Sequence, residues 1–273
     1  MPTPAELAAD LAPRRDSVLA GFDGPGRAAL ADLLWYDVST EYDARHLTDH
    51  LRRRGGFGAA FWRAHGLWAE EERRHHEGFL AVLEALFGRA AIGAALEEAG
   101  SGAAVGPDDG PPPTWRGLLA ARAYDPAPLA GVLADELGVL VCGAYDELVT
   151  VRAYRANLPV YDRLGPLVAR FVRAVIADEA THYARFLEVL CGDHGARLAE
   201  VPARLAAVRA AGAAAPYGNM FLLDHHGPEY TTALEDAAAR ALLGQVAQAA
   251  SAGGRPRRSS HHRPTISRGK MPR

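Results

Sequence analysis

Apolar positions along this chain recur at helical intervals, in stretches filled by Ala, Leu, Arg and Glu and with few β-branched runs. The pattern predicts an all-α protein. One periodic stretch runs from about Glu41 to Arg54, Gly55-Gly56 interrupts it, and a second returns from Phe57 through Glu72. A second pair follows the same plan less tidily. Helical spacing leads on from Glu147, breakers from Asn157-Leu158-Pro159 to Gly165-Pro166 predict a loop, and the chain returns towards Glu179. Two helical hairpins are therefore expected. Between them, Gly100-Ser101-Gly102 through Gly106-Pro107-Asp108-Asp109-Gly110-Pro111-Pro112-Pro113 excludes a helix over about 100–114, so the halves are joined by a long crossover, with a short helix expected at Trp115 to Tyr124.

Composition narrows the class. At 273 residues and 49% hydrophobic content the chain can bury one sizeable core. We expect a single helical domain over 1–250, with its core bundle at about 28–195 and extra C-terminal helices beyond. Residues 251–273 hold several Arg and a Lys but no acid, among Gly, Ser and Pro, which predicts a disordered basic tail to which no function is assigned. The rest of the chain then carries an acidic excess, which does not fit a nucleic-acid binder. Cys142 and Cys191 form no C-x-x-C motif and read as buried free thiols. Glu6 and Asp10 sit where a signal peptide would be apolar, and no stretch reaches about 18 uninterrupted apolar residues. A soluble, cytoplasmic protein without membrane contact is expected.

The chemistry lies in one pattern written twice. Glu41 is followed 31 residues later by Glu72-Arg73-Arg74-His75, and Glu147 is followed 32 residues later by Glu179-Ala180-Thr181-His182. Glu-x-x-His on a helix sets a carboxylate and an imidazole on one face, one turn apart. In the first hairpin both arms span roughly 20–25 Å at ~1.5 Å per residue, so Glu72 returns to the height of Glu41. Four-helix bundles that hold two iron or manganese ions take one Glu from each of two helices and one such pair from each of the other two. Glu41, Glu72, His75, Glu147, Glu179 and His182 supply that set in order. A ligand set of carboxylates and imidazoles without thiolate suits iron or manganese better than a closed zinc site. Four buried carboxylates would also repel one another unless cations lay between them. The fold class expected is a ferritin-like four-helix bundle.

The residues around these ligands resemble the soluble acyl-acyl-carrier-protein desaturases. Trp68-Ala69-Glu70-Glu71-Glu72-Arg73-Arg74-His75 is similar to the family's W-x-x-E-E-x-R-H segment, and Ile176-Ala177-Asp178-Glu179-Ala180-Thr181-His182 to its I-A-x-D-E-x-x-H segment with one residue fewer. Asp146-Glu147-Leu148-Val149-Thr150 resembles Q-E-x-x-T, and Thr40-Glu41 its T-E. The likeness spans roughly residues 30–195. It implies that the six residues hold two Fe2+ ions and that dioxygen is co-substrate. It also implies that Thr150 faces the dioxygen side as a proton carrier, and that Asp178 is an outer acid supporting a metal-bound imidazole.

The implied reaction is oxidation of an acyl chain on an acyl-carrier protein to a cis alkene, with electrons from a ferredoxin-type donor and a homodimeric assembly. Arg52-Arg53-Arg54 with Arg63 would be a docking patch for the acidic carrier, or simply a solvated helix end. Manganese accepts the same ligands, so an Mn/Fe pair is the alternative metal content. Two other functions share this ligand set: a di-iron oxygenase or hydroxylase of a specialised metabolite, and a ferritin-like iron-binding or oxidase protein.

Overall fold

The structure, a computed structural model, describes residues 1–88, 129–214 and 231–252. Among these residues every regular element is helical. Two short helices, α1 (Pro4–Leu11) and α2 (Arg15–Ala20), lead into four long ones: α3 (Gly24–Arg54), α4 (Ala59–Phe87), α5 (Glu136–Leu164) and α6 (Pro166–Asp193). Two more, α7 (Val201–Ala214) and α8 (Thr232–Ser251), follow. The protein is an all-α helical bundle. None of its described helices is long and apolar enough to cross a membrane. The predicted crossover at 100–114, the helix at Trp115 to Tyr124 and the 251–273 tail beyond its first two residues lie outside the described residues, while Ser251 is the last residue of α8.

Local chemistry sets the helix ends. Asp23 caps α3 by accepting from Gly26 N at 2.8 Å, and Asp135 caps α5 by accepting from Gly138 N at 2.9 Å. The first hairpin turns where the sequence predicts, since Gly55 and Gly56 take φ of 70° and 85°, a region costly for residues with a Cβ. The second hairpin departs from expectation. No loop spans 157–166: α5 continues through Asn157, Leu158 and Pro159 to Leu164, and Gly165 alone, at φ 117°, makes the turn into Pro166 at the head of α6. Proline removes one N–H from the helical ladder. Burial of Tyr154, Tyr161 and Leu164 against α6 and its neighbours offsets that loss and carries the helix past the breaker.

The long helices pack as α3 on α4 and α5 on α6, and contact between α4 and α6 joins the two hairpins. Gly78 lets those two approach: a Cβ there would lie 2.3 Å from the Phe171 ring. Two hydrophobic clusters fill the interior. One takes Leu34 and Val38 of α3, Phe79 and Leu83 of α4, Tyr154 and Tyr161 of α5, and Phe171 and Val172 of α6, and α1 closes its end with Leu7 and Leu11. The other takes Leu47 and Leu51, Phe61 and Trp68, Leu140 and Ala144, and Phe186 and Leu190 from the same four helices. α7 and α8 cover that second end through Val208, Ala238 and Leu242.

The order in which each helix meets the clusters gives its direction. α3 and α6 run from the first cluster to the second, and α4 and α5 run the other way. Phe87 and Leu129 therefore stand at opposite ends of a bundle roughly 40 Å long at ~1.5 Å per residue. A long connection between the halves is a geometric requirement. On α3, α4 and α6 one short stretch separates the two clusters and holds the polar residues singled out by the sequence, and on α5 Glu147 and Thr150 lie at the edge of the second cluster, where it meets the first.

Candidate metal centre

Buried charge in an apolar bundle has to be neutralised locally. Glu41, Glu72, His75, Glu147, Glu179 and His182 are all buried in the layer between the two clusters, with both imidazoles at 0% exposure and Glu179 at 1%. They fall into two groups with ligand atoms within 4.8 Å of one another: Glu41, Glu72, His75 and Glu179, and Glu72, Glu147, Glu179 and His182. Either group could hold a metal ion. Glu72 and Glu179 belong to both, so the two sites share a pair of carboxylates and each keeps one carboxylate and one imidazole of its own.

The imidazoles point the same atom inward. His75 Nδ1 lies 3.0 Å from Glu179 Oε1, 3.3 Å from Glu41 Oε2 and 3.5 Å from Glu72 Oε2. His182 Nδ1 lies 2.8 Å from Glu179 Oε2, 3.1 Å from Glu72 Oε1 and 3.5 Å from Glu147 Oε2. One nitrogen cannot serve three carboxylates with one proton. Glu179 Oε1, fully buried, has no hydrogen-bond partner among the described residues even though His75 Nδ1 is 3.0 Å away, because the two atoms are not aligned for a bond. Both instead face a common point. A cation there would satisfy them together, and a hard carboxylate–imidazole donor set fits iron or manganese.

The outward nitrogens are held by carboxylates. His75 Nε2 lies 3.3 Å from Asp178 Oδ2, as the resemblance implies, and His182 Nε2 lies 2.9 Å from Glu71 Oε2. The acid preceding each shared glutamate thus reaches across to the imidazole of the other motif. Glu71 is itself bound by Arg185 and lies 3.5 Å from Arg74. With Nε2–H donating to that carboxylate, a neutral imidazole keeps its Nδ1 lone pair directed at the centre.

The outer carboxylates each accept from one aromatic donor. Trp68 Nε1 donates to Glu147 Oε1 at 2.7 Å, and Tyr154 OH donates to Glu41 Oε1 at 2.5 Å. One helical turn from Glu41, Asp37 accepts from Tyr161 OH at 2.7 Å. Trp68 opens the segment similar to W-x-x-E-E-x-R-H, but the carboxylate each of these three donors serves is not visible in the sequence, since each meets it from another helix. Glu71 did leave a sign: Asp178-Glu179 and Glu71-Glu72 place an acid before the shared glutamate in both copies of the motif.

Electrostatics divide the carboxylates into two kinds. Burial, and then repulsion from Glu72, with which it shares a hydrogen bond, hold the Glu41 carboxyl well above the usual range. Burial and then Glu179 do the same for Glu147. For Glu72 burial also pushes upward, but hydrogen bonds from Glu41, His182 and His75 outweigh it and the group lies well below its ordinary value. Glu179 is lowered too, because the two imidazoles outweigh burial and the repulsion of Glu72. Both imidazoles are raised: burial opposes their charge, but Glu179 with Glu41 at His75, and Glu179 with Glu147 at His182, prevail. These directions favour, without metal, protons on the two imidazoles and on Glu41 and Glu147, facing Glu72 and Glu179 as the carboxylates that ionise most readily.

A cavity of about 30 Å³ adjoins the ligands, lined by Thr40, Glu41, Trp68, Glu147 and Thr150 among others. It is large enough for a water or two, or for a diatomic gas. Thr150 reaches it from one turn beyond Glu147. Ser39, Thr48 and Thr181 each donate to the carbonyl four residues earlier, whereas no such bond to a described residue ties down the Thr150 hydroxyl. Arg52, Arg53, Arg54 and Arg63 are exposed, and Arg54 donates to Ala134 O. Comparison with protein-family models, with curated proteins and with solved structures finds no match to this chain.

Proposed function

We propose that this protein is a dioxygen-dependent di-iron oxidoreductase that desaturates an acyl chain carried on an acyl-carrier protein, drawing electrons from a ferredoxin-type donor. The observation that carries the reading is the convergence of six buried ligands into two groups sharing Glu72 and Glu179. Two iron ions bound there would supply the reduction of dioxygen and, with it, the oxidising power to remove hydrogen from an unactivated carbon. Glu72 and Glu179, common to both groups, would hold both ions, and Glu41 with His75 and Glu147 with His182 would each hold one. Asp178 and Glu71 fix the imidazole tautomers by accepting from Nε2. Trp68 and Tyr154 hold the outer carboxylates in place. Thr150, which lines the cavity, would hold a proton and pass it to whatever small molecule occupies that space. The apolar clusters above and below exclude water from the layer.

The test is metal content after anaerobic reconstitution, comparing the wild type with a Glu72→Ala/Glu179→Ala double variant. About two metals per chain in the wild type, lost in the variant, support the dinuclear centre. Loaded protein would then be given acyl-carrier-protein substrates and a reducing system, and the products weighed. Loss of two hydrogens supports desaturation, and gain of one oxygen supports the hydroxylase alternative. Binding unchanged by the double substitution overturns the reading.

A further inference from the structure

The two outer carboxylates accept from oxidisable aromatic rings, yet the two rings lead to different places. Tyr154 stacks on Phe79 at 5.5 Å and lies 6.4 Å from Tyr161, both fully buried, so that branch ends inside the first cluster. Trp68 instead begins a run along one face of α4. Its ring is 4.8 Å from His65, and the His65 ring is 5.6 Å from Trp62, which is half-buried at the protein surface. Spacing of three residues keeps Trp62, His65 and Trp68 on that face. Phe61, stacked on His65 at 5.3 Å, and Thr48, whose hydroxyl lies 3.0 Å from His65 Nε2, hold the middle ring in position.

We infer that Trp68, His65 and Trp62 form a one-electron conduit between the metal centre and the surface, which drains oxidising equivalents when dioxygen reacts with no organic substrate in place. The inference rests on the di-iron reading above. Trp68 passes one electron to the dioxygen-oxidised metal pair, and its Nε1 proton crosses the 2.7 Å bond to Glu147 Oε1. Trp62 refills Trp68 with an electron through the His65 ring, and the proton returns from Glu147 to Trp68. The Trp62 indole loses its own Nε1 proton to water. The net change is one electron and one proton leaving Trp62, with one metal reduced by one electron. The resulting Trp62 radical ends by taking a hydrogen atom from a dissolved thiol or by combining with dioxygen, which leaves an oxygenated indole. Such a route spares the buried ligands by carrying the oxidation to an exchangeable surface ring.

The test uses full-length protein loaded anaerobically with ferrous iron. Its iron content is measured, it is exposed to air with catalase but without substrate or thiol, and it is digested for peptide mass analysis. The expected result is added oxygen on Trp62 in iron-loaded protein and none in metal-free protein. Trp68→Phe should reduce that modification several-fold, and His65→Leu, which leaves the bond to Glu147 intact, should do the same. In Trp62→Phe the added oxygen should move inward to Trp68. An unmodified Trp62 in protein that has bound and oxidised its iron overturns the conduit and leaves the metal centre standing, as does modification unaffected by both inner substitutions. Absence of bound iron overturns the di-iron reading and the conduit with it.

Discussion

Loading the centre with metal should expel protons, and the number follows from charge balance in the buried layer. Four carboxylates and two imidazoles cannot carry a net charge of several units at 0–6% exposure. The metal-free cluster balances as ionised Glu72 and Glu179 against protonated His75 and His182, with Glu41 and Glu147 neutral, in agreement with the direction each group is pushed. Two divalent ions balance four ionised carboxylates and need neutral imidazoles. Binding a pair of metals therefore releases about four protons. The sign follows directly: groups whose affinity for protons is raised hold them at neutral pH, and acid strengthens that competition against metal. A fall from pH 7 to pH 6 should weaken binding of the pair by about 10⁴-fold, roughly 5.4 kcal/mol at ~1.36 kcal/mol per proton per pH unit. Titrating metal into weakly buffered protein with an indicator dye measures the release. Two protons or fewer per metal pair would mean that Glu41 and Glu147 are already ionised in the empty site and would refute the charge balance.

Two substitutions test the supports of the centre, and two more test the packing between α4 and α6. Glu71→Gln and Asp178→Asn, each keeping size but losing the charge that orients an imidazole, should weaken metal binding by about 10–100-fold in chelator competition; equal affinity in both variants and the wild type would mean that neither acid supports its histidine. Gly78→Ala drives a Cβ to 2.3 Å from the Phe171 ring and should cost about 1–3 kcal/mol, seen as a melting temperature lower by several degrees. Gly66→Ala on the same helix meets nothing within 4 Å and should instead stabilise by about 0.4–1 kcal/mol, so a matching loss in both would show that close packing at Gly78 is not the cause.

The six candidate ligands were legible in the sequence because helical geometry converts spacing into height: 31 and 32 residues, folded back on themselves, return a glutamate to its starting level. Gly55-Gly56 announced the first turn because positive φ has few other tenants. Pro159 misled for a tertiary reason. Propensity marks the place where a helix is costly, but the burial that decided the matter involves Phe171 and Phe79, on other helices. The aromatic contacts to the outer carboxylates were illegible on the same ground. Tyr154 and Glu41 are 113 residues apart, and Trp68 and Glu147 are 79 apart. No local period links them, and only the packed bundle does.

The pairing of Asp178 with His75 and of Glu71 with His182 makes the two hairpins interdependent. Each hairpin carries a complete Glu and Glu-x-x-His set, yet neither can orient its own imidazole, because the acid that does so comes from the opposite hairpin. The shared carboxylates impose the same condition at the inner side, with Glu72 reaching His182 and Glu179 reaching His75. A hairpin alone would present its ligands with the wrong nitrogen free and too few carboxylates to enclose a cation. The symmetry is nevertheless imperfect. Glu71 is neutralised by Arg185 and Arg74, whereas Asp178 is a third exposed and its largest stabilising partner is His75 itself. An acid already satisfied by arginine draws less on its histidine than one that depends on it. The two imidazoles are thus held by acids of different settings, while the cavity borders both ends alike, through Glu41 with Thr40 and through Glu147 with Thr150.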